Sequence, residues 1–180
     1  RLIYPEARQL IEAHRAKGHS IAIVSSATPY QVRPAAKDLG IDDVYASDLE
    51  VIDGQFTGRV VQPTCFGEGK VLAAETFTEA KKSTLNDCFF YSDSTDDIEL
   101  LEAVGHPVVL NGSRQLRVIA RERGWAAAHF TSRGNASGSQ IFRSIAATGS
   151  LVGSFLLGLP LYALSGSRRD SINFSISLFA

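Results

Sequence analysis

The chain has 180 residues, with 18 Lys and Arg against 19 Asp and Glu and a formal net charge of −1. That length buries one good core with an appendage, and the charge balance lacks the basic excess of a nucleic-acid partner. Cys65 and Cys88 form neither a CxxC pair nor a disulfide framework, which fits a reducing, cytoplasmic compartment. His14, His19, His106 and His129 show no metal-ligand spacing and read as surface or helix-packing residues.

In chain order, the sequence opens on Arg1 without any Met, and its first residues read as a polar turn and an amphipathic helix rather than a signal peptide. It is therefore expected to be part of a longer protein, lacking at least its beginning. Residues 5–17, "PEARQLIEAHRAK", place Pro5 at a favoured first helical position and repeat apolar residues at helical spacing. Gly18 stops that helix and "SIAIVSS" reads as a short buried strand. A second helix, "YQVRPAAKDL", ends at Gly40. "LEVIDGQFTGRVV" gives two β-like runs around Asp53-Gly54, a strong hairpin signal. Then come a helix from "GEGKVLAAETFTEAKK", a strand "CFFYS", a helix "DDIELLEAVG", a strand "PVVLN" and a helix "SRQLRVIARERG". Strands alternating with helices of this length predict an α/β fold, a doubly wound parallel sheet covered on both faces.

The composition changes near residue 130. "TSRGNASGSQ" is small and polar, a linker by content over 131–143. From Ser144 to Ser167 no charged residue occurs, with Arg143 before and Arg168-Arg169 after. A stretch of that length meets the requirement of about 20 apolar residues for crossing a bilayer, so 144–167 is expected to be a membrane-associated, membrane-spanning helix. Gly149 and Gly153 add a weak helix-packing signal. A buried core helix, or a re-entrant or interfacial segment, is the competing reading. The terminal "SINFSISLFA" alternates like a strand, while its position suggests a helix leading into a following domain over 168–180.

In an open α/β sheet, ligands bind beyond the carboxyl ends of the strands. Three such ends carry chemistry: Ser25 and Ser26 after "IAIV", Lys70 in the first turn after "FGEG", and Asp93 with Asp97 one turn further in "FFYSDSTDD". Each has an ordinary structural explanation. A Ser or Thr before a helix is an N-cap, and Ser94 followed by Asp97 resembles a capping box. Lys70 differs, because a cation at a helix N-terminus opposes the dipole and needs an anion nearby. Together the three ends suggest a phosphate held by Ser25 and Lys70, with Asp93 binding a hard cation such as Mg²⁺. Dipole and metal would then absorb the charge of Asp93, Asp96, Asp97 and Glu99.

These residues resemble the haloacid dehalogenase superfamily of phosphatases, its phosphoserine-phosphatase-like branch above all. The family's strand ending in Ser or Thr is matched by Ser25, its Lys at a helix start by Lys70, and its Asp-x-x-x-Asp motif by Asp93 and Asp97. The resemblance covers roughly Leu2 to Phe130, making 1–130 the phosphatase-like domain. Relatives usually carry Gly and Asn where this chain has Ser92 and Asp96.

The resemblance implies an aspartyl-phosphate mechanism on a small phosphomonoester substrate. Ser25, Lys70 and Asp97 would be catalytic, with Ser25, Ser26 and Lys70 binding the phosphoryl group; Asp93 would ligate Mg²⁺, and Asp97 would ligate or orient. The family's nucleophile motif DxDx[TV], its central first strand and its helical cap are absent from this chain. The chain alone is thus expected to be inactive, with two strand edges left to pair. A phosphatase-like domain followed by an apolar tail also resembles bacterial fusions with a 1-acylglycerol-3-phosphate acyltransferase, implying a membrane-associated, bifunctional phospholipid-synthesis protein. The alternative is a non-catalytic phosphatase-like scaffold that regulates or positions a membrane acyltransferase.

Overall fold

The computed structural model of the protein describes residue 3 and residues 5–129 and 175–179. Helix α1 (Pro5–Ala16) leads into strand β1 (Ser20–Val24), and α2 (Pro29–Leu39) follows it. Gly40, in the left-handed region at φ 63°, ends α2 by donating its N–H to the carbonyls of Ala36 and Lys37. A short β2 (Asp43–Tyr45) precedes the hairpin of β3 (Leu49–Ile52) and β4 (Gln55–Val60). Its turn residues Asp53 and Gly54 both have positive φ, as the two-residue turn requires. Then come α3 (Glu68–Lys81), β5 (Cys88–Ser92), α4 (Ile98–Ala103), β6 (His106–Leu110), α5 (Arg114–Glu122), β7 (Ala126–Ala128) and β8 (Ser175–Phe179).

The main sheet has the order β2-β1-β8-β5-β6-β7. β1 with β2, β5 with β6, and β6 with β7 run parallel, as the helix–strand alternation predicts. One strand departs from this parallel pattern. β8 lies in the middle and is antiparallel to both neighbours, with Ile176 opposite Ile23 and Tyr91 and Leu178 opposite Ile21 and Phe89. The physical reason is the one anticipated for two facing edges. β1 and β5 each carry unpaired N–H and C=O groups along one side, and an extended segment satisfies both at once. Residues 175–179 thus belong to this sheet, and of the two readings of the terminal segment the strand holds there. The linker and the uncharged stretch 144–167 lie outside the described residues; among the described residues no helix is long and apolar enough to cross a membrane.

Both faces of the sheet are covered. On one, Ile21, Ile23, Tyr91 and Val108 pack against Leu10 and Ile11 of α1 and Val32, Ala36 and Leu39 of α2. On the other, Ala22, Val24, Phe90 and Val109 meet Ala74 and Phe77 of α3, Leu100 and Leu101 of α4 and Leu116 and Ala120 of α5. The strict alternation along β1 follows from the period of two in a strand, and each fully buried large apolar side chain contributes roughly 1.5–3 kcal/mol.

His14, in the last turn of α1, is buried and packs edge-on against Phe89 and Tyr91. Its Nε2 lies 2.9 Å from the Tyr91 hydroxyl and its Nδ1 2.8 Å from Nδ1 of His19. Burial, then the charges of His19 and Lys17, pull its pKa down to about 3.

Candidate active site

The residues singled out in the sequence lie at the carboxyl ends of β1 and β5 and at the start of α3, and the structure joins two of them, Lys70 and Asp97, in a buried ion pair. β1 delivers Ser25, which is fully buried. Its N–H donates to the Tyr45 carbonyl at 2.9 Å and its Oγ accepts from the Ala27 N–H at 3.2 Å, which fixes the hydroxyl's place at the strand end. Ser26, one residue on, is exposed.

α3 begins after Gly67, at φ 52°. A Cβ on Gly67 would come within 2.8 Å of the Glu99 carboxylate, and one on Gly69 would fall 1.8 Å from the Thr64 carbonyl oxygen. The two glycines therefore let this loop close tightly against its neighbours and set Lys70 in the helix's first turn. Lys70 points inward and forms an ion pair with Asp97, the side chains being 2 % and 0 % exposed. The anion demanded by a cation at a helix N-terminus is thus supplied by the chain itself.

β5 ends at Ser92, and Asp93 emerges from it. A 3₁₀ turn over Thr95–Asp97 then carries Asp97 back inside. The Ser92 hydroxyl donates to Asp97 Oδ2 at 2.5 Å and accepts from the Ser94 N–H at 3.1 Å. The capping box read from Ser94 and Asp97 is not what forms. Ser94 Oγ accepts from the Asp96 N–H at 3.2 Å, while the Asp97 carboxylate turns to Lys70 and Ser92. Lys70, a full cation within reach, outcompetes a backbone N–H for that carboxylate.

Asp93 remains open to solvent at the mouth of the strand, with Asp96 and Glu99 also exposed. The surrounding protein still raises the Asp93 pKa through desolvation, and the Asp97 charge adds to this while Lys70 opposes it. Among the described residues no three His, Cys, Asp or Glu side chains gather into a ready-made metal cage. One outward carboxylate with excess negative charge suits Mg²⁺, which takes few protein ligands and completes its octahedron with water and phosphate oxygens.

Cys65 is a residue that sequence reasoning placed only by redox compartment. Its thiol is buried and donates to the Tyr45 carbonyl at 3.6 Å, and its N–H donates to Ser47 Oγ at 3.0 Å. Burial pushes its pKa up, with Lys70 and the Ser25 backbone acting the other way. Cys65 thereby ties the loop before α3 to β2, whose Tyr45 carbonyl also receives the Ser25 N–H. No local pattern in "PTCFG" signals this.

Ser25, the buried Lys70–Asp97 pair and the outward Asp93 thus lie along one carboxyl edge of an open α/β sheet, with β8 between β1 and β5. Residues 1–102 match the family of haloacid dehalogenase-like hydrolases, and the chain belongs to that family, in its phosphoserine-phosphatase-like type. It is 39 % identical over 130 residues to a Mycobacterium tuberculosis protein named a probable phosphatase, covering 72 % of this chain and 45 % of that one. It is 36 % identical over 124 residues to phosphoserine phosphatase SerB1 of the same organism, covering 68 % and 40 %. A solved Bordetella pertussis protein of unknown function superimposes with a TM-score of 0.63 at 36 % identity, covering 68 % of this chain and 56 % of that one. The chain spans about half the length of the curated relatives it matches.

Proposed function

We propose that the protein is a Mg²⁺-dependent phosphomonoester hydrolase acting on small phosphate esters. The observation that carries this reading is the buried Lys70–Asp97 pair, on the same carboxyl edge of the sheet as Ser25 and Asp93. Burying a lysine and an aspartate gives little net stability, which leaves room for a functional role of the pair. Lys70 holds positive charge where the transferring phosphoryl oxygens lie, Ser25 donates a hydrogen bond to them, and Ser26 lines the same end. Asp93 holds Mg²⁺, which supplies charge neutralisation of the phosphoryl group. Asp97 orients Lys70.

The reaction read from the family resemblance proceeds through an aspartyl-phosphate. No DxDx[TV] motif occurs in the chain, so the resemblance assigns the nucleophile to none of these residues. The uncharged run 144–167 supports membrane association and continuation into an acyltransferase of phospholipid synthesis. The absent motif also favours a second reading, a non-catalytic scaffold.

The test is phosphate release from phosphoserine and other small phosphomonoesters by the intact protein, with and without Mg²⁺. Asp93→Asn and Lys70→Ala are expected to reduce the rate by about 10²–10³, the size of a lost electrostatic stabiliser. Variants as active as the parent would remove the site assignment, and an intact protein inactive with every ester would support the scaffold.

A further inference from the structure

We propose that Ser92 is the positioning residue that locks the Lys70–Asp97 pair and aims Asp93. The consequence for turnover rests on the functional reading above, whereas the lock itself is a matter of geometry. Ser92 is 2 % exposed, and the direction of its hydroxyl proton is determined. Because Oγ accepts from the Ser94 N–H, the O–H is left to donate to Asp97 Oδ2.

Asp97 is thereby gripped from two sides, Oδ1 by the Lys70 ammonium and Oδ2 by Ser92. The terminal torsion of an aspartate is broad, so a single partner would leave the carboxylate able to rotate. The hydroxyl of Ser92 restrains that rotation further, and with it the ammonium that meets Oδ1. The same Oγ reaches across Asp93 to Ser94, so it also sets the course of the backbone that presents the outward carboxylate.

The 180-residue chain is compared with Ser92→Ala, Ser92→Thr and Ser92→Cys by NMR detection of the Lys70 ammonium and its hydrogen exchange with water. Loss of one hydrogen bond to a charged group predicts exchange about tenfold faster in Ser92→Ala. Ser92→Thr, which keeps the hydroxyl, should stay within about twofold of the parent. Ser92→Cys keeps the volume with only a weak donor, should exchange faster like the alanine variant, and serves if that one does not fold. Unchanged exchange in the folded variants overturns the lock.

In the intact protein, Ser92→Ala should lower kcat about tenfold with KM little changed, and Ser92→Thr should restore it. Faster exchange with unchanged kcat would overturn the positioning role. An inactive parent protein would overturn the functional reading instead, and the ammonium exchange would still decide the lock.

Discussion

Lys70 and Asp97, 27 residues apart in sequence, meet as a buried ion pair at the point where α3 begins and the turn after β5 folds back. Neither residue is placed there by its own element alone. The tight glycine loop sets the lysine, the 3₁₀ turn returns the aspartate, and the sheet registers the two.

Breaking this pair from one side should be costly. Lys70→Met or Asp97→Asn leaves a buried charge without its partner, a loss of about 3–5 kcal/mol in denaturant unfolding. The double variant Lys70→Met/Asp97→Leu should regain most of that loss while hydrolysis by the intact protein stays abolished. A double variant as unstable as the singles would mean that the pair is retained for folding.

His14 should make the fold acid-sensitive. Its folded pKa is lowered to about 3 by burial first, while the unfolded side chain titrates near 6.5. The unfolded state therefore takes up a proton before the folded one, so stability falls as pH drops below about 6.5 and is unaffected above it. The slope from this residue is at most about 1.4 kcal/mol per pH unit. Thermal unfolding of the parent and His14→Gln from pH 7.5 to 5 checks this. The variant should start lower and show a shallower decline, and parallel curves would exclude His14 as the cause.

Gly69→Ala should disturb the site without replacing a polar side chain. The added methyl would lie 1.8 Å from the Thr64 carbonyl oxygen, so the loop or the first turn of α3 must move. Overpacking of this kind costs about 1–3 kcal/mol. The amide resonances of Lys70 and Asp97 should shift with it, and unchanged resonances there would contradict the tight approach.

Leu178→Pro should open the middle of the sheet. Leu178 stands opposite Ile21 of β1 and Phe89 of β5, and proline removes a donor from a central strand. Amides of Ile21–Val24 and Phe89–Tyr91 should then exchange at least about tenfold faster, the equivalent of about 1.4 kcal/mol of lost protection. Unchanged protection would contradict the antiparallel seat of β8.

Much of the framework is legible locally. Pro5, Gly18 and Gly40 mark helix boundaries, Asp53-Gly54 marks the hairpin, and the apolar runs of β1, β5 and β6 read as buried strands. Two strands escape such reading. β2 and β7 have three residues each, and the Ala126–Ala128 run lacks the β-branched or aromatic side chains that signal a strand. The place of β8 is invisible for another reason, since strand order is a matter of pairing between distant segments and nothing in "SISLF" encodes its neighbours.

The site divides in the same way. Ser25, Lys70 and Asp93 are readable because each stands at a strand end or helix start. The partner of Asp97 is not, because "STDD" alone favours a cap and only the fold brings Lys70 within reach. Cys65 takes on its role through contacts 18 and 20 residues away, whereas the Ser92 hydroxyl acts within its own turn, five residues from Asp97.

The claim that Ser25, Lys70 and Asp93 serve one phosphoryl- and metal-binding pocket is tested most directly by titrating the isotopically labelled chain with Mg²⁺ and inorganic phosphate and mapping the amide shifts. Saturable, joint displacement of the Ser25, Ser26, Lys70 and Asp93 resonances, lost in Asp93→Asn, is the predicted result. Shifts scattered over other surfaces, or none at these four residues, would contradict it.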